Sequence, residues 1–595
     1  MRELEYFPNL VTMFFTRARE RGDAPFLWTK QNGTWVATSW AEAARQVASL
    51  AAGLTAIGMK RGDRVMLVSE NRPEWCISDL AIMAAGCVTV PTYITNTERD
   101  HAHIIADSGA CAIIVSTDKL ARTLLPAVLR SNGGQTVIGI DAMRAPAASL
   151  DVHNWHQLIA DHPTDPAALA ANIDFARSDL ACIIYTSGTG GAPRGVMQHH
   201  GAILHNVKGC AAVISEDFGW GDEVFLSFLP LSHAYEHTGG QHFAIGLGGQ
   251  IYYAESLDKL AANIEEVRPT IMFVVPRLFE VLRTRIAKAI AKQGGASAYL
   301  LAKALDVGAK EAAGTLRLRD RPAQLAVRTL FKPRIAKKFG GRMKAMVSGG
   351  APLTPEVGLF FQSLGVTFLQ GYGQTEAAPV ISCNRPSAGI RMDSVGPALR
   401  DTEVVIAPDG EILVRGELVM HGYWRNEAET ARVLKDGWLH TGDIGEIDAK
   451  GRITITDRKK DLIINDKGDN IAPQKVEGML TLQPEIVQAM IAGDRRPYMV
   501  ALIVPDPEWT QDWCAANGSA CRFEMLAENS AYRTAIGQAI ERVNKDLSVT
   551  ERIRRFVLAD EPFGIENEQL TPSLKIRRYV IRGVYGERLE ALYKS

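Results

Sequence analysis

Residues 186–196 read TSGTGGAPRGV and follow the apolar run ACIIY at 181–185. The hydroxyls of Thr186, Ser187 and Thr189 alternate with Gly188, Gly190 and Gly191, and Arg194 stands just beyond them. Small residues expose backbone N–H groups to close approach and hydroxyls add further donors, which together suit phosphate oxygens. The G-x-x-x-x-G-K-[ST] pattern is missing here, so the loop is not that of a P-loop nucleotide hydrolase. On glycine content alone, a plain strand-to-helix turn fits equally well.

Positioning such a loop requires strands ending near it. Short β-branched runs recur at 64–69, 111–117, 181–187, 270–276 and 343–350, with helix-like segments between them. That alternation predicts parallel α/β layers. Pro73 suits a first helical turn, and Trp75, Leu80 and Met83 follow at helical spacing. From about residue 400 the texture changes to turn-rich hairpins such as APDGEILVRGELVMHGYW, which predicts a β subdomain. The charged stretch 451–473 leads into a tail with its own strands at 500–506 and 554–560. The expected fold is therefore α/β: a large multi-layer N-terminal domain with a β subdomain (1–459), then a small α+β C-terminal domain (460–595).

The chain of 595 residues carries 66 basic and 67 acidic side chains, a formal charge of −1. No global field recruits nucleic acid, so a nucleic-acid partner is not expected. The eight cysteines show no C-x-x-C or Cys/His ligand spacing, which argues against zinc or a disulfide framework and for a reducing compartment. The N-terminus lacks the pattern of a signal peptide, and no run of eighteen apolar residues occurs, so a soluble, cytoplasmic protein is expected. Residues 283–344 hold sixteen Lys/Arg against Asp306, Glu311 and Asp320 in an Ala/Leu-rich helical pattern. A solvated helical face is preferred there, with peripheral contact to an anionic membrane as the alternative.

Seven segments occur in one order: YTSGTGGAPRGV, LPLSHAYEH (229–237), SGGAPL (348–353), GYGQTE (371–376), WLHTGDIG (438–445), DRKKDLI (457–463) and LTPSLKIRR (570–578). Together they resemble the signature series of the acyl-adenylate-forming enzymes. SENRPEW, VPTY, LPLSHAYEH, VPRLFE and DRKKDLI look most like the long-chain fatty acyl-CoA synthetases within that family. The resemblance implies ATP, Mg2+ and coenzyme A as cofactor and co-substrates. It implies two half reactions: fatty acid and ATP give acyl-AMP and pyrophosphate, and CoA then displaces AMP. Both steps need mainly positioning and charge stabilisation.

The same resemblance implies residue roles. Lys575 matches the adenylation lysine that bridges the acyl carboxylate and the α-phosphate. Glu376 matches the magnesium ligand, with Thr189 beside it, and Thr375 an α-phosphate contact. Thr186, Ser187, Gly188, Thr189 and Arg194 match the phosphate loop. Gly349, Gly350, Ala351 and Pro352, with Gly371, Tyr372 and Gly373, match the walls of the adenine site. Asp443 matches the acceptor of the ribose hydroxyls and Arg458 a second ribose or phosphate contact. Lys460 matches the hinge about which the C-terminal domain turns between half reactions. His233 is assigned to substrate positioning and not to general-base duty, because a carboxylate nucleophile carries no proton to remove at neutral pH. A structural histidine is its plain alternative.

Two departures stand out. Where the family loop usually reads T-S-G-T-T-G-x-P-K-G, this chain has Gly190 and Arg194, losing one hydroxyl and exchanging an ammonium for a planar guanidinium. Lys467 and Asp469 in NDKGDNIAP replace the usual T-S-G-G-K-N-I-A-P pattern. The first departure is expected to slow or alter handling of the outer phosphates without loss of activity, and the second bears on the contacts of the thioester stage. Adenylation of another acid, transfer to a carrier protein, or a non-catalytic nucleotide- and acyl-binding scaffold remain the alternatives. Ser394 in MDSVG is not expected to carry pantetheine. The expected assembly is a monomer or homodimer.

Overall fold

The structure is a computed structural model that describes residues 2–594 except 132–134, 144–149, 187–191, 277, 280, 281, 284, 285, 288, 289, 291–293, 313, 352, 460, 461, 468, 520 and 572–575. Two eight-stranded sheets dominate it. The first runs, edge to edge, Val380–Cys383, Phe368–Gly373, Ala345–Ser348, Ile271–Val274, Val224–Ser227, Gln250–Tyr253, Pro25–Gln31 and Thr34–Ser39. The second runs Gly422–Tyr423, Arg194–His199, Leu180–Thr186, Val88–Thr92, Arg64–Val68, Ala112–Val115, Thr136–Gly139 and Val152–Asn154. The inner strands of both are parallel, as the alternation of runs and helices predicts, and their near-continuous apolar sequences match burial on both faces. The edges depart from that expectation. Phe368–Gly373 with Val380–Cys383, and Leu180–Thr186 with Arg194–His199, are antiparallel, because connections this short cannot make the crossover a parallel pair needs.

Helices fill the space between the sheets. Pro73 opens the helix Pro73–Ala84 at its first turn, and every side chain of that helix except Glu74 is buried. A helix buried all round belongs to the interior of a large domain, and here Trp75, Ile77 and Leu80 join the helix Trp40–Ala56 in one apolar core. The helices of the basic segment, Gly295–Ala312, Arg321–Ala326 and Lys332–Lys338, with the short turns Leu318–Asp320 and Val327–Phe331 between the first and last of them, place Ala304, Val327 and Ile335 in a second core and leave Tyr299, Leu318 and Leu325 exposed. Among the described residues, no helix is long and apolar enough to cross a membrane.

The third sheet is the antiparallel unit expected after residue 400, built from Gly396–Pro397, Arg452–Arg458, Trp438–Ile447, Glu411–Arg415 and Glu403–Ile406. Asp409-Gly410 turns the chain between Glu403–Ile406 and Glu411–Arg415, with Gly410 at φ 84°. Beyond it, Ile486–Ala492, Met499–Pro505 and Ile553–Leu558 form a small sheet covered by helices such as Ser530–Asn544 and Arg578–Ala591. Cys514 and Cys521 are joined in a disulfide, a link the cysteine spacing does not suggest, whereas Cys76, Cys87, Cys111, Cys182, Cys210 and Cys383 are free.

Candidate functional site

A cavity of about 450 Å³ opens where the ends of the first sheet meet the third. Thr186, Arg194, His233, Gly349, Gly350, Gly371, Tyr372, Gly373, Thr375, Glu376, Asp443 and Arg458 all line it, although they are scattered over more than 270 positions of sequence. Ala351 is exposed and stands off that wall. Ser187, Gly188, Thr189, Pro352, Lys460 and Lys575 lie outside the described residues.

The phosphate-type loop differs from the strand-to-helix turn that its glycines also allow. It links two antiparallel strands, and Thr186 and Arg194 are direct partners across the ladder. Both loop ends are thereby fixed to the sheet edge. Arg194 does not point free into solvent: its guanidinium pairs with Glu429 and lies 4.8 Å from the centre of the Tyr423 ring. Glu429 also receives Arg432, and that pair, together with Arg194, holds its carboxyl down at about 2.

Asp443 is the most closely held group of the site. Its side chain is 3% exposed; Oδ1 takes an ion pair from Arg458 Nε at 2.8 Å. Its Oδ2 accepts from Tyr372 Oη at 2.6 Å and Gln374 Nε2 at 2.7 Å. The ladder explains the first contact, because Asp443 and Arg458 face each other across the strands Trp438–Ile447 and Arg452–Arg458. Burial, and then the Asp443 charge, pushes the Tyr372 phenol well above its ordinary value, so it remains a donor at all working pH. Gln374 was legible only as a letter within GYGQTE, and the sequence carries no sign of its reach across to Asp443.

Glu376 sits on the short turn Thr375–Ala377 and accepts a hydrogen bond from Tyr423 Oη at 2.8 Å on Oε1. Its Oε2 takes no hydrogen bond from any described residue. A carboxylate held by one oxygen and open at the other on a cavity wall fits a hard divalent cation such as Mg2+. The turn itself is pinned by Gln198 Nε2 donating to Thr375 O at 2.6 Å and by Met420 N donating to Glu376 O at 2.9 Å. Sequence reasoning missed Tyr423, Glu429, Arg432 and Gln198, since none belongs to a phosphate- or metal-type pattern.

The glycines earn their places by close approach. A Cβ on Gly349 would meet the Tyr235 ring at 3.0–3.2 Å, and one on Gly373 would meet Pro379 O at 1.9 Å. Tyr235 is itself fixed by donating to Val347 O at 2.8 Å. His233 caps the short helix Ala234–Glu236, its Nδ1 accepting from Tyr235 N at 3.1 Å, so it is both a cavity-wall residue and a helix cap. The cavity wall also carries the apolar side chains of Val213, Ile214, Phe243, Phe273, Leu369 and Leu399. None of these was identifiable in sequence, where they read as core.

Lys467 and Asp469 form a tight turn around Asn465, whose Oδ1 accepts from both backbone N–H groups at 2.9 and 2.8 Å. Ser394 is buried and donates to Ile453 O at 2.7 Å, which bars it from carrying an external prosthetic arm.

Comparison with known proteins bears on the family. A family model described as AMP-binding enzyme matches residues 14–424, and one described as AMP-binding enzyme C-terminal domain matches 460–595. A long-chain-fatty-acid–CoA ligase of Mycobacterium tuberculosis is 32% identical, covering 99% of this chain and 97% of its own. The peroxisomal long chain acyl-CoA synthetase 7 of Arabidopsis thaliana is 30% identical over 95% of this chain and 83% of its own. Among solved structures, the A-PCP didomain of carboxylic acid reductase from Segniliparus rugosus, in complex with AMP, superposes with a TM-score of 0.77 at 21% identity, covering 99% of this chain and 82% of that one. At that identity the likeness speaks for the fold. Seven ordered motifs, a cavity lined by residues of six of them, and a family match over most of its length together establish that the chain belongs to the AMP-binding enzyme family.

Proposed function

We propose that this protein is an AMP-forming acid–thiol ligase that activates a long-chain fatty acid as its acyl-adenylate and transfers the acyl group to coenzyme A. The observation that carries this reading is a single cavity whose wall combines charged and apolar side chains. Arg194, Glu376, Asp443 and Arg458 furnish the charged groups, and Phe243, Phe273, Leu369 and Leu399 the apolar ones. Such a lining suits a ligand that joins a nucleotide to an acyl chain.

In this reading Asp443 accepts from the ribose hydroxyls while Tyr372 and the backbone at Gly349 and Gly350 wall the base. Thr186, Thr375 and Arg194 meet the phosphates. Glu376 holds Mg2+, which supplies neutralisation of phosphate charge when bound with ATP. His233 orients the acyl carboxylate. Lys575 and Lys460, outside the described residues, are assigned the α-phosphate and the hinge, with the domains divided at 459/460. The C-terminal family match beginning at residue 460 supports that division.

The test is direct. Purified protein with Mg-ATP, CoA and a panel of acids is assayed for pyrophosphate and, by mass, for acyl-CoA. Long saturated acids should give both products, Lys575→Ala should abolish acyl-AMP, and Lys460→Pro should spare acyl-AMP while impairing the thioester. Product only from aryl or short acids, or acyl transfer only to a carrier protein, would replace the reading with its neighbours in the family. ATP binding without pyrophosphate from any acid would leave a scaffold.

Peripheral membrane contact by the basic helices is a second reading supported by one observation. Leu318 is 86% exposed and Leu325 63% exposed amid Arg317, Arg319, Arg321 and Arg328. Apolar tips ringed by arginines suit an anionic bilayer surface. Co-sedimentation with vesicles of anionic lipid, lost at high salt and in Leu318→Ser, checks it.

A further inference from the structure

His237 and His242 bound a six-residue π-helical turn, a form that concentrates at functional sites, and both rings turn inward onto Asp79 of the helix Pro73–Ala84. All three side chains are 0% exposed. His237 Nε2 lies 2.9 Å from Asp79 Oδ2 and His242 Nε2 3.4 Å from the same oxygen. The two Nε2 atoms are 3.2 Å apart. None of the three residues lines the cavity.

Ordinary hydrogen bonding does not satisfy this triangle. A carboxylate oxygen only accepts, so each imidazole nitrogen facing it needs a proton. Two protonated nitrogens would then face each other across 3.2 Å with no acceptor between them. Removing either proton relieves that contact and turns a lone pair onto the carboxylate. Meanwhile Gln241 Nε2 also donates to Asp79 Oδ2, at 2.7 Å. Among the described residues, Asp79 Oδ1, Gln241 Oε1 and both imidazole Nδ1 atoms have no hydrogen-bond partner. Such orphan groups in a dry core are costly unless something else compensates.

A cation at the centre changes the chemistry of all three contacts at once, because each atom then directs a lone pair at it. Zinc bonds of about 2.0–2.1 Å in a tetrahedron set neighbouring ligand atoms about 3.3 Å apart, and the separations here bracket that value. Two imidazoles and a carboxylate suit zinc-class ions better than Mg2+ or Ca2+, which take oxygen ligands. Binding at Nε2 leaves each Nδ1–H without a partner, a cost the coordination bonds must exceed.

We propose that Asp79, His237 and His242 bind one buried transition-metal ion of the zinc class, with Asp79 Oδ1 available as a fourth donor. The ion ties the helix Pro73–Ala84 to the turn His237–His242, which begins four residues after His233. It is thus a structural ion beneath the cavity wall, separate from any Mg2+ that accompanies ATP, and it stands whether or not the proposed activity does.

The full chain, expressed with zinc in the medium and dialysed against EDTA without nucleotide, should retain about one zinc per chain by elemental mass spectrometry. Less than about a tenth of an ion would overturn the proposal. Protein expressed with Co2+ in place of zinc should show the visible absorption of a tetrahedral cobalt site; a featureless spectrum, or that of hydrated Co2+, also overturns it. His242→Gln should lose the ion and lower the melting temperature by several degrees, and a His242→Gln chain that folds and keeps the ion would place the metal elsewhere. Should that variant fail to fold, the wild-type zinc content and cobalt spectrum decide the matter unaided.

Discussion

Tyr423 donates its phenolic hydrogen to Glu376 Oε1 across 2.8 Å while its ring lies against the Arg194 guanidinium. One side chain thereby connects the acidic and the basic wall of the cavity. Burial, followed by the Glu376 charge, raises the Tyr423 phenol, so it stays protonated and keeps donating. Tyr423→Phe removes the hydroxyl and keeps the ring. We expect about a tenfold loss in kcat/KM for Mg-ATP, equal to one hydrogen bond to a charged group of about 1.4 kcal/mol, with melting little changed. A variant indistinguishable from wild type across a Mg2+ titration would show that Glu376 needs no such support.

Asp443 gathers Tyr372, Gln374 and Arg458 onto two oxygens. In Asp443→Asn an amide N–H must confront donors, and Arg458 loses its charge partner. The KM for ATP should rise about 10- to 100-fold, with a smaller rise in Gln374→Leu. Equilibrium binding of ATP by calorimetry would show whether the loss lies in binding or only in turnover.

Glu429 pairs with the guanidinium that the proposed reading assigns to the phosphates. Removing its charge in Glu429→Gln should lower the KM for Mg-ATP by a few-fold, whereas Arg194→Ala should raise it by about tenfold. The double variant should behave like Arg194→Ala alone, since the two residues act through one contact. Additive effects in that cycle would mean that Glu429 works through Arg432 instead.

Glu236 is buried beside Gly240, and burial pushes its carboxyl up to about 8 from an ordinary 4.5. Between those values the folded chain keeps a proton that the unfolded chain has released, so wild-type stability falls as pH rises through this window. Glu236→Gln does not titrate. Relative to that variant, the wild type should lose about 3–4 kcal/mol between pH 5 and pH 8, visible as diverging melting temperatures. Parallel curves would show that Glu236 ionises normally.

The layered fold was legible because parallel strands covered on both faces must be apolar throughout, and runs such as 181–187 and 270–276 are. The antiparallel edges were less so. The hairpin at 186–194 was not distinguishable from a strand-to-helix turn, since glycine content reports freedom of the backbone and not the direction the chain takes next. Phe243, Phe273 and Leu399 were invisible as cavity residues for a related reason: an apolar side chain facing a pocket obeys the same burial preference as one facing other side chains.

Local spacing, turn chemistry and ordered motifs therefore determined from the sequence which residues are chemically able to meet a nucleotide. Only the tertiary structure decided which of them converge, because strand pairing and sheet packing bring Arg194 to Glu429, Asp443 to Tyr372 and Asp79 to His237 across separations that no local pattern encodes. Hydrogen bonds and ion pairs act over a few ångströms of space, while a sequence records distance along the chain alone.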